Sequence, residues 1–203
     1  MMPSIYDLKP AFQNILRPIC HWLAKQGVTP NQVTLAALIM SLLMGGVLAL
    51  FSNQNEVLLL LPLVLFLRMA LNAIDGMLAR EHQMTSSMGA VLNEIGDVIS
   101  DVALYLPLAL FVDWPAELLV VIVILAVISE LSGIVAVQIG ASRRYDGPMG
   151  KSDRAFVFGT LGLILGLGVS LGNGLYILLI VVLLLLVLTI WRRLSGALRE
   201  VSV

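Results

Sequence analysis

The sequence has 203 residues, of which 59% are hydrophobic and only 12% charged, with a mean hydropathy of +0.99. A soluble domain carries roughly 25% charged residues, and a chain of this length cannot hide so much apolar surface in one water-soluble core, which excludes the secreted and ordinary cytosolic classes. Twelve Lys+Arg against 13 Asp+Glu leave a net charge of −1, so the basic field that a nucleic-acid partner needs is missing. The composition predicts an all-α integral membrane protein.

In chain order, residues 4–25 come first. Ile5, Leu8, Phe12, Ile15, Leu16, Ile19 and Leu23 recur at three- and four-residue steps, with Lys9, Arg17 and Lys25 among the polar positions. This pattern predicts an amphipathic helix lying in the membrane interface, kinked at Pro18. The same basic residues interrupt any apolar run, so the segment is not a signal peptide. Cys20, the single cysteine, reads as a small buried hydrophobe. Thr29 and Pro30 then supply an N-cap and a first-turn proline. Six apolar stretches follow at 31–51, 57–79, 88–112, 117–140, 155–171 and 174–191, each near the length of about 20 residues that spans a bilayer. Short turn-like linkers separate them, and Gly162-x3-Gly166 permits close helix packing. The chain thus divides into an interfacial helix at 1–28 and a six-helix membrane domain at 29–203.

Eleven of the twelve basic residues fall on one side of a six-span arrangement, and only Arg68 lies inside a span. Positive charge stays on the cytoplasmic side, so both termini are expected there. Trp22, Trp114 and Trp191 fall at expected interfaces, as an aromatic belt requires. His21 and His82 have no partner at metal-ligand spacing along the chain and read as interfacial side chains.

The polar residues inside spans carry more information, because charges near a bilayer centre are expensive and usually face a bundle interior. The second span holds Arg68, Asn72, Asp75 and, at its end, Arg80; the third holds Asn93, Glu94, Asp97 and Asp101; the fourth holds Glu130. Asn72 and Asp75 share a face, and Gly89, Asn93, Asp97 and Asp101 form a stripe at four-residue steps. The two spans are antiparallel neighbours, so their oxygen ligands can converge on one cavity. Hard divalent cations such as Mg²⁺ or Mn²⁺ take such ligands, with phosphates completing the shell. Arg68, Asp101 and Glu130 lie at similar depth and could form a salt-bridged trio.

Within these spans, Asp75-Gly76-x2-Ala79-Arg80-x8-Gly89-x7-Asp97 resembles the signature of the CDP-alcohol phosphatidyltransferase family, D-x2-D-G-x2-A-R-x8-G-x3-D-x3-D. The family's first and third aspartates fall on Asn72 and Asn93. The resemblance implies transfer of a phosphatidyl group from CDP-diacylglycerol to an alcohol, with release of CMP, in phospholipid synthesis. It implies a homodimer in a bacterial inner membrane, with the site facing the cytoplasm. It also implies that Asn72, Asp75, Asn93 and Asp97 hold Mg²⁺ or Mn²⁺ and that Asp97 is the catalytic base. Asp75, Gly76, Ala79, Arg80 and Gly89 would line the nucleotide site. The two asparagines remove two negative charges, which keeps a second reading open: a non-catalytic relative that binds a nucleotide-lipid or a partner. A third reading, an unrelated six-span transporter or channel, is disfavoured because the sequence shows none of the broken helices and paired half-repeats of transporters.

The connection Arg143–Arg154 is the other polar cluster. Gly150-Lys151-Ser152 is not a P-loop, because Tyr145 stands where a glycine is required. Arg143, Lys151 and Arg154 either mark the cytoplasmic side or bind the phosphate of an acceptor.

Overall fold

A computed structural model describes residues 9–202; the start of the amphipathic segment, with Ile5 and Leu8, lies outside them. Seven α-helices follow one another: α1 (Lys9–Lys25), α2 (Pro30–Leu50), α3 (Leu60–Glu81), α4 (Ser87–Tyr105), α5 (Ala116–Gln138), α6 (Lys151–Gly166) and α7 (Asn173–Val201). Short 3-10 turns, Asn55–Leu59 and Leu106–Leu110, lead into α3 and out of α4. Among the described residues there is no strand.

Among the described residues, four segments are long and apolar enough to cross a membrane: Pro30–Leu50, Asn55–Glu81, Ala116–Gln138 and Asn173–Val201. That is fewer than the six expected. Helix α4 carries Glu94, Asp97 and Asp101 within 19 residues, and α6 has only 16 residues and opens on Lys151, Asp153 and Arg154. The membrane class itself holds. Large side chains such as Leu43, Ile124, Tyr176 and Trp191 stand exposed around the bundle, an apolar surface that water penalises and lipid accepts.

Local chemistry sets the helix starts. Thr29 caps α2: its hydroxyl accepts from Gln32 N at 3.3 Å, and Gln32 Oε1 accepts from Thr29 N at 2.9 Å, a reciprocal pair that satisfies two orphan donors. Helix α1 runs unbroken through Pro18. Its inner face is held on α3, where Leu16 and Cys20 are buried against Ala73, Ile74, Met77 and Leu78. Phe12 meets Phe66 edge-on at 5.9 Å, and Arg17 forms a two-pronged pair with Glu81 at 3.0 and 3.2 Å. Ile15, Ile19 and Trp22 of α1 face outward, as an interfacial helix requires.

The helices alternate in direction, so each contributes one polar and one apolar end. The apolar ends form the main core, with Leu48, Leu61, Leu104, Phe158 and Leu179 fully buried. Packing there is close. A Cβ on Gly45 would lie 2.2 Å from the Ala103 carbonyl oxygen, and one on Gly162 would lie 3.1 Å from the Leu58 carbonyl oxygen. Trp114 belongs to this core rather than to an interfacial belt: it is buried and stacks on Phe158 at 6.1 Å, and Tyr105 stacks on the same ring at 4.5 Å. The polar ends of α2 to α7 meet at the opposite end of the bundle and enclose the candidate site.

Candidate active site

A cavity of about 780 Å³ opens at that polar end. Every motif residue singled out from the sequence lines it: Asn72, Asp75, Gly76, Ala79 and Arg80 from α3, and Gly89, Asn93 and Asp97 from α4. Apolar side chains, including Pro62, Phe66 and Leu163, line its remaining wall. The cavity therefore joins a polar floor to an apolar flank.

The motif glycines make room for close neighbours. Ser86 caps α4 by accepting from Gly89 N at 3.0 Å, and a Cβ on Gly89 would lie 2.7 Å from Asn31 Oδ1 at the start of α2. A Cβ on Gly76 would lie 3.0 Å from the Arg80 guanidinium one turn on. Asp75 is buried and accepts from the Thr34 hydroxyl at 2.7 Å. Thr34 is a partner that helix periodicity did not single out. The available signal was a hydroxyl one turn into an otherwise apolar span.

Asp97 is more heavily contacted. Its Oδ1 accepts from Asn72 Nδ2 at 2.9 Å and lies 3.5 Å from Arg68 Nη2. Its Oδ2 accepts from the Lys151 ammonium at the start of α6. Arg68 also donates to the Asp97 backbone carbonyl at 3.0 Å, which fixes the helix turn beneath the carboxylate.

Behind the cavity lies a chain of buried ion pairs. Asp101 takes Arg68 Nη1 at 2.5 Å on one oxygen, and Arg154 Nε at 3.0 Å and Nη2 at 2.6 Å on the other. Arg154 reaches on to Glu130 at 2.9 Å and donates to the Met149 carbonyl at 3.1 Å. Glu130 lies 3.6 Å from Arg193 of α7 and 3.3 Å from Arg143. The trio expected from the sequence is thus only partly formed: Arg68 pairs with Asp101, but Glu130 pairs with Arg154, Arg193 and Arg143 instead. The three candidate phosphate-binding cations also separate. Arg143 and Lys151 line the cavity, whereas Arg154 is fully buried behind its wall. Arg193, not singled out, lines the cavity as well. Its sequence signal was Glu130, an intramembrane acid that required a cation.

Arg143 projects from the loop between α5 and α6. It grips Glu94 with two parallel hydrogen bonds, at 2.9 and 2.8 Å, and lies 4.7 Å from the centre of the Tyr145 ring. Burial works against its charge, but the hydrogen bonds and charge of Glu94, with Glu130 behind it, outweigh that and raise its pKa. Glu94, although offset from the α4 stripe, therefore faces the same cavity through this loop. The loop fits closely against α7 at Gly147, whose φ of +115° and 2.6 Å approach to Thr189 leave no space for a Cβ.

His21 and His82, distant in sequence, meet in the fold: His21 Nδ1 and His82 Nε2 are 3.2 Å apart, joining α1 to the end of α3. Among the described residues, no group of three or more His, Cys, Asp and Glu converges as a metal cage. The motif instead offers the cavity two carboxylates, Asp75 and Asp97, with the amides of Asn72 and Asn93. These are hard oxygen donors, few in number, which suits one Mg²⁺- or Mn²⁺-like ion that keeps water or phosphate in its remaining positions.

The family model for CDP-alcohol phosphatidyltransferase matches residues 27–199. The inner membrane protein YnbA of Escherichia coli (strain K12) is 49% identical over 164 residues, 81% of each chain. The archaetidylinositol phosphate synthase of Pyrococcus horikoshii is 32% identical over 117 residues, 57% of this chain and 60% of that one. Among solved structures, the Mycobacterium tuberculosis phosphatidylinositol phosphate synthase PgsA1 with CDP-DAG bound matches with a TM-score of 0.74 at 22% identity, covering 91% of this chain and 94% of that one. The same enzyme in complex with manganese and citrate matches with a TM-score of 0.73 at 22% identity, covering 89% and 88%. At that identity the likeness is one of fold.

Proposed function

The chain belongs to the CDP-alcohol phosphatidyltransferase family, and from that premise we propose that it moves a phosphatidyl group from CDP-diacylglycerol to an alcohol. The observation that carries this reading is that all eight motif residues line one cavity, together with Arg143 and Lys151. The acceptor oxygen attacks the phosphorus that bears the diacylglycerol. A phosphorus–oxygen bond forms there as the bond to CMP breaks. Asp97, held by Asn72 and Arg68, takes the hydroxyl proton. Gly76, Ala79 and Gly89 admit the nucleotide, with Arg80 at the mouth. The apolar flank at Phe66 and Leu163 leaves the acyl chains in lipid. Arg143 and Lys151 suit a phosphorylated acceptor, since each is a cation on the cavity surface. Asn72, Asp75, Asn93 and Asp97 would hold the divalent ion. When bound, such an ion supplies charge neutralisation at the pyrophosphate and at the leaving phosphate.

In the same reading α4 and α6 also cross the bilayer, giving six spans behind the interfacial helix. Nineteen residues of α4 extend about 28 Å, close to the hydrocarbon thickness of about 30 Å, and its acids point into the bundle. The clustering of basic residues supports a cytoplasmic location for both termini and the cavity mouth. A homodimer is expected from the family.

The test is CMP release from CDP-diacylglycerol by the purified protein in nanodiscs, with Mg²⁺ or Mn²⁺ and a panel of acceptors including glycerol 3-phosphate, inositol phosphate and serine. Acceptor-dependent CMP release supports the reading. No release with any acceptor and either ion refutes it.

A further inference from the structure

Of the two motif carboxylates, Asp97 is the one in ion pairs, and its two basic neighbours differ in kind. Arg68 is buried and anchored, with Asp101 holding its Nη1 at 2.5 Å. It is part of the wall. Lys151 stands on the first residue of α6, partly exposed on the cavity surface, and among the described residues its one ion-pair partner is Asp97. A lysine is a compact point charge on a flexible four-carbon stem, so it can leave without unpacking the helices.

An ammonium on the outer oxygen of Asp97 makes that carboxylate a poor ligand for a second cation. The incoming ion must displace the ammonium or lie beside a like charge. Asn72 and Asn93 add oxygens but no charge to compensate. The two carboxylates bring a formal −2, and Lys151 reduces it to −1. We infer that Lys151 is a tethered counter-ion that competes with a divalent cation for Asp97 and is drawn off by the phosphates of the substrate. The inference rests on the reading that Asp97 is a metal ligand. As the ion enters, the ammonium passes from the carboxylate to a phosphate oxygen, so the cavity stays close to neutral at each stage. Ion and nucleoside diphosphate then bind with positive coupling, each strengthening the other by the same factor.

The experiment is a Mn²⁺ titration of the full-length protein in nanodiscs of zwitterionic lipid, with free Mn²⁺ followed by electron paramagnetic resonance, with and without CDP. A neighbouring opposite charge changes a carboxylate's affinity for a proton by about 1–3 pKa units, and a divalent ion feels the same field. Without CDP, Lys151→Met and Lys151→Gln are therefore expected to bind Mn²⁺ at least about tenfold more tightly than the unmodified protein. Lys151→Arg should stay near the unmodified value. CDP should tighten Mn²⁺ binding in the unmodified protein and do so less in Lys151→Met. Adding Asp97→Asn should abolish the gain. Equal Mn²⁺ affinity in the unmodified protein and both neutral variants overturns the inference while leaving the metal site standing. A gain that survives Asp97→Asn also overturns it. Absence of Mn²⁺ binding in all forms, with CDP present, overturns the metal reading and this inference together.

Discussion

Two groups of charged residues share the polar end of the bundle. At the back of the cavity, Arg68, Asp101, Arg154, Glu130 and Arg193 are buried, Glu130 and Arg193 reaching its lining, and each makes more than one ionic or carbonyl contact. Facing the cavity, Asp75 accepts from Thr34 and Asp97 takes Asn72, Arg68 and the flexible Lys151, and these groups open onto a space large enough for a nucleotide. The rear group is a continuous chain of ion pairs, three arginines on two acids, held from helix to helix. The front group can exchange its internal partners for a substrate. How firmly the partners are held, rather than charge or depth, separates scaffold from chemistry here. A buried pair adds little net stability, but breaking one strands a charge.

Substitutions on the two sides should therefore fail in different ways. The largest effect is expected from Asp97→Ala. Arg68 retains Asp101 at 2.5 Å and Lys151 can turn to water, so the fold should survive with a nearly unchanged melting temperature. Loss of a general base removes about 10²–10⁴-fold of rate, read as CMP release. Unfolding in place of inactivation would assign Asp97 to the scaffold. Asp101→Ala should do the reverse. It leaves Arg68 and Arg154 facing a void with their shared counter-ion gone, a loss of about 3–5 kcal/mol, measured as a lowered thermal or denaturant midpoint in detergent. Asp101→Asn should cost less, because the amide oxygen still accepts. A stable, inactive Asp101→Ala would erase the distinction between the two groups.

The front group was legible in the sequence and the rear group was only half legible. Asn72, Asp75, Asn93 and Asp97 are readable because three- and four-residue steps place them on helix faces, and because their spacing to Gly76, Arg80 and Gly89 resembles a family pattern. Periodicity specifies a face within one helix but not which helices touch. Arg154 and Arg193 sit near helix ends where positive charge is expected at the membrane surface; Glu130 calls for a buried cation, but nothing along the chain says which one answers it. Trp114 misleads for a similar reason: its position in a short linker suggests an interface, but stacking on Phe158 takes it into the core. Helix α4 falls short of an apolar span because the acids of the site are carried on it, and α6 because it has only 16 residues.

The smallest effect is expected at the rim, where ion pairs are equally easy to draw. Glu200 near the end of α7 accepts from Ser142 N at 2.8 Å, Ser142 Oγ at 2.9 Å and Arg144 Nη1 at 2.9 Å. Arg144 also pairs with Asp146 at 2.7 Å. By count this cluster rivals the one around Asp101. Glu200 is exposed, however, and water replaces each lost partner when it is removed. Glu200→Ala is therefore expected to leave the melting temperature unchanged within error. If loop placement matters to the acceptor, the variant should raise KM for a phosphorylated acceptor while kcat holds, because Arg143 stands on the same loop and faces the cavity. A melting temperature lowered as far as that of Asp101→Ala would mean that the number of contacts, and not their burial, sets the stability of this end of the bundle.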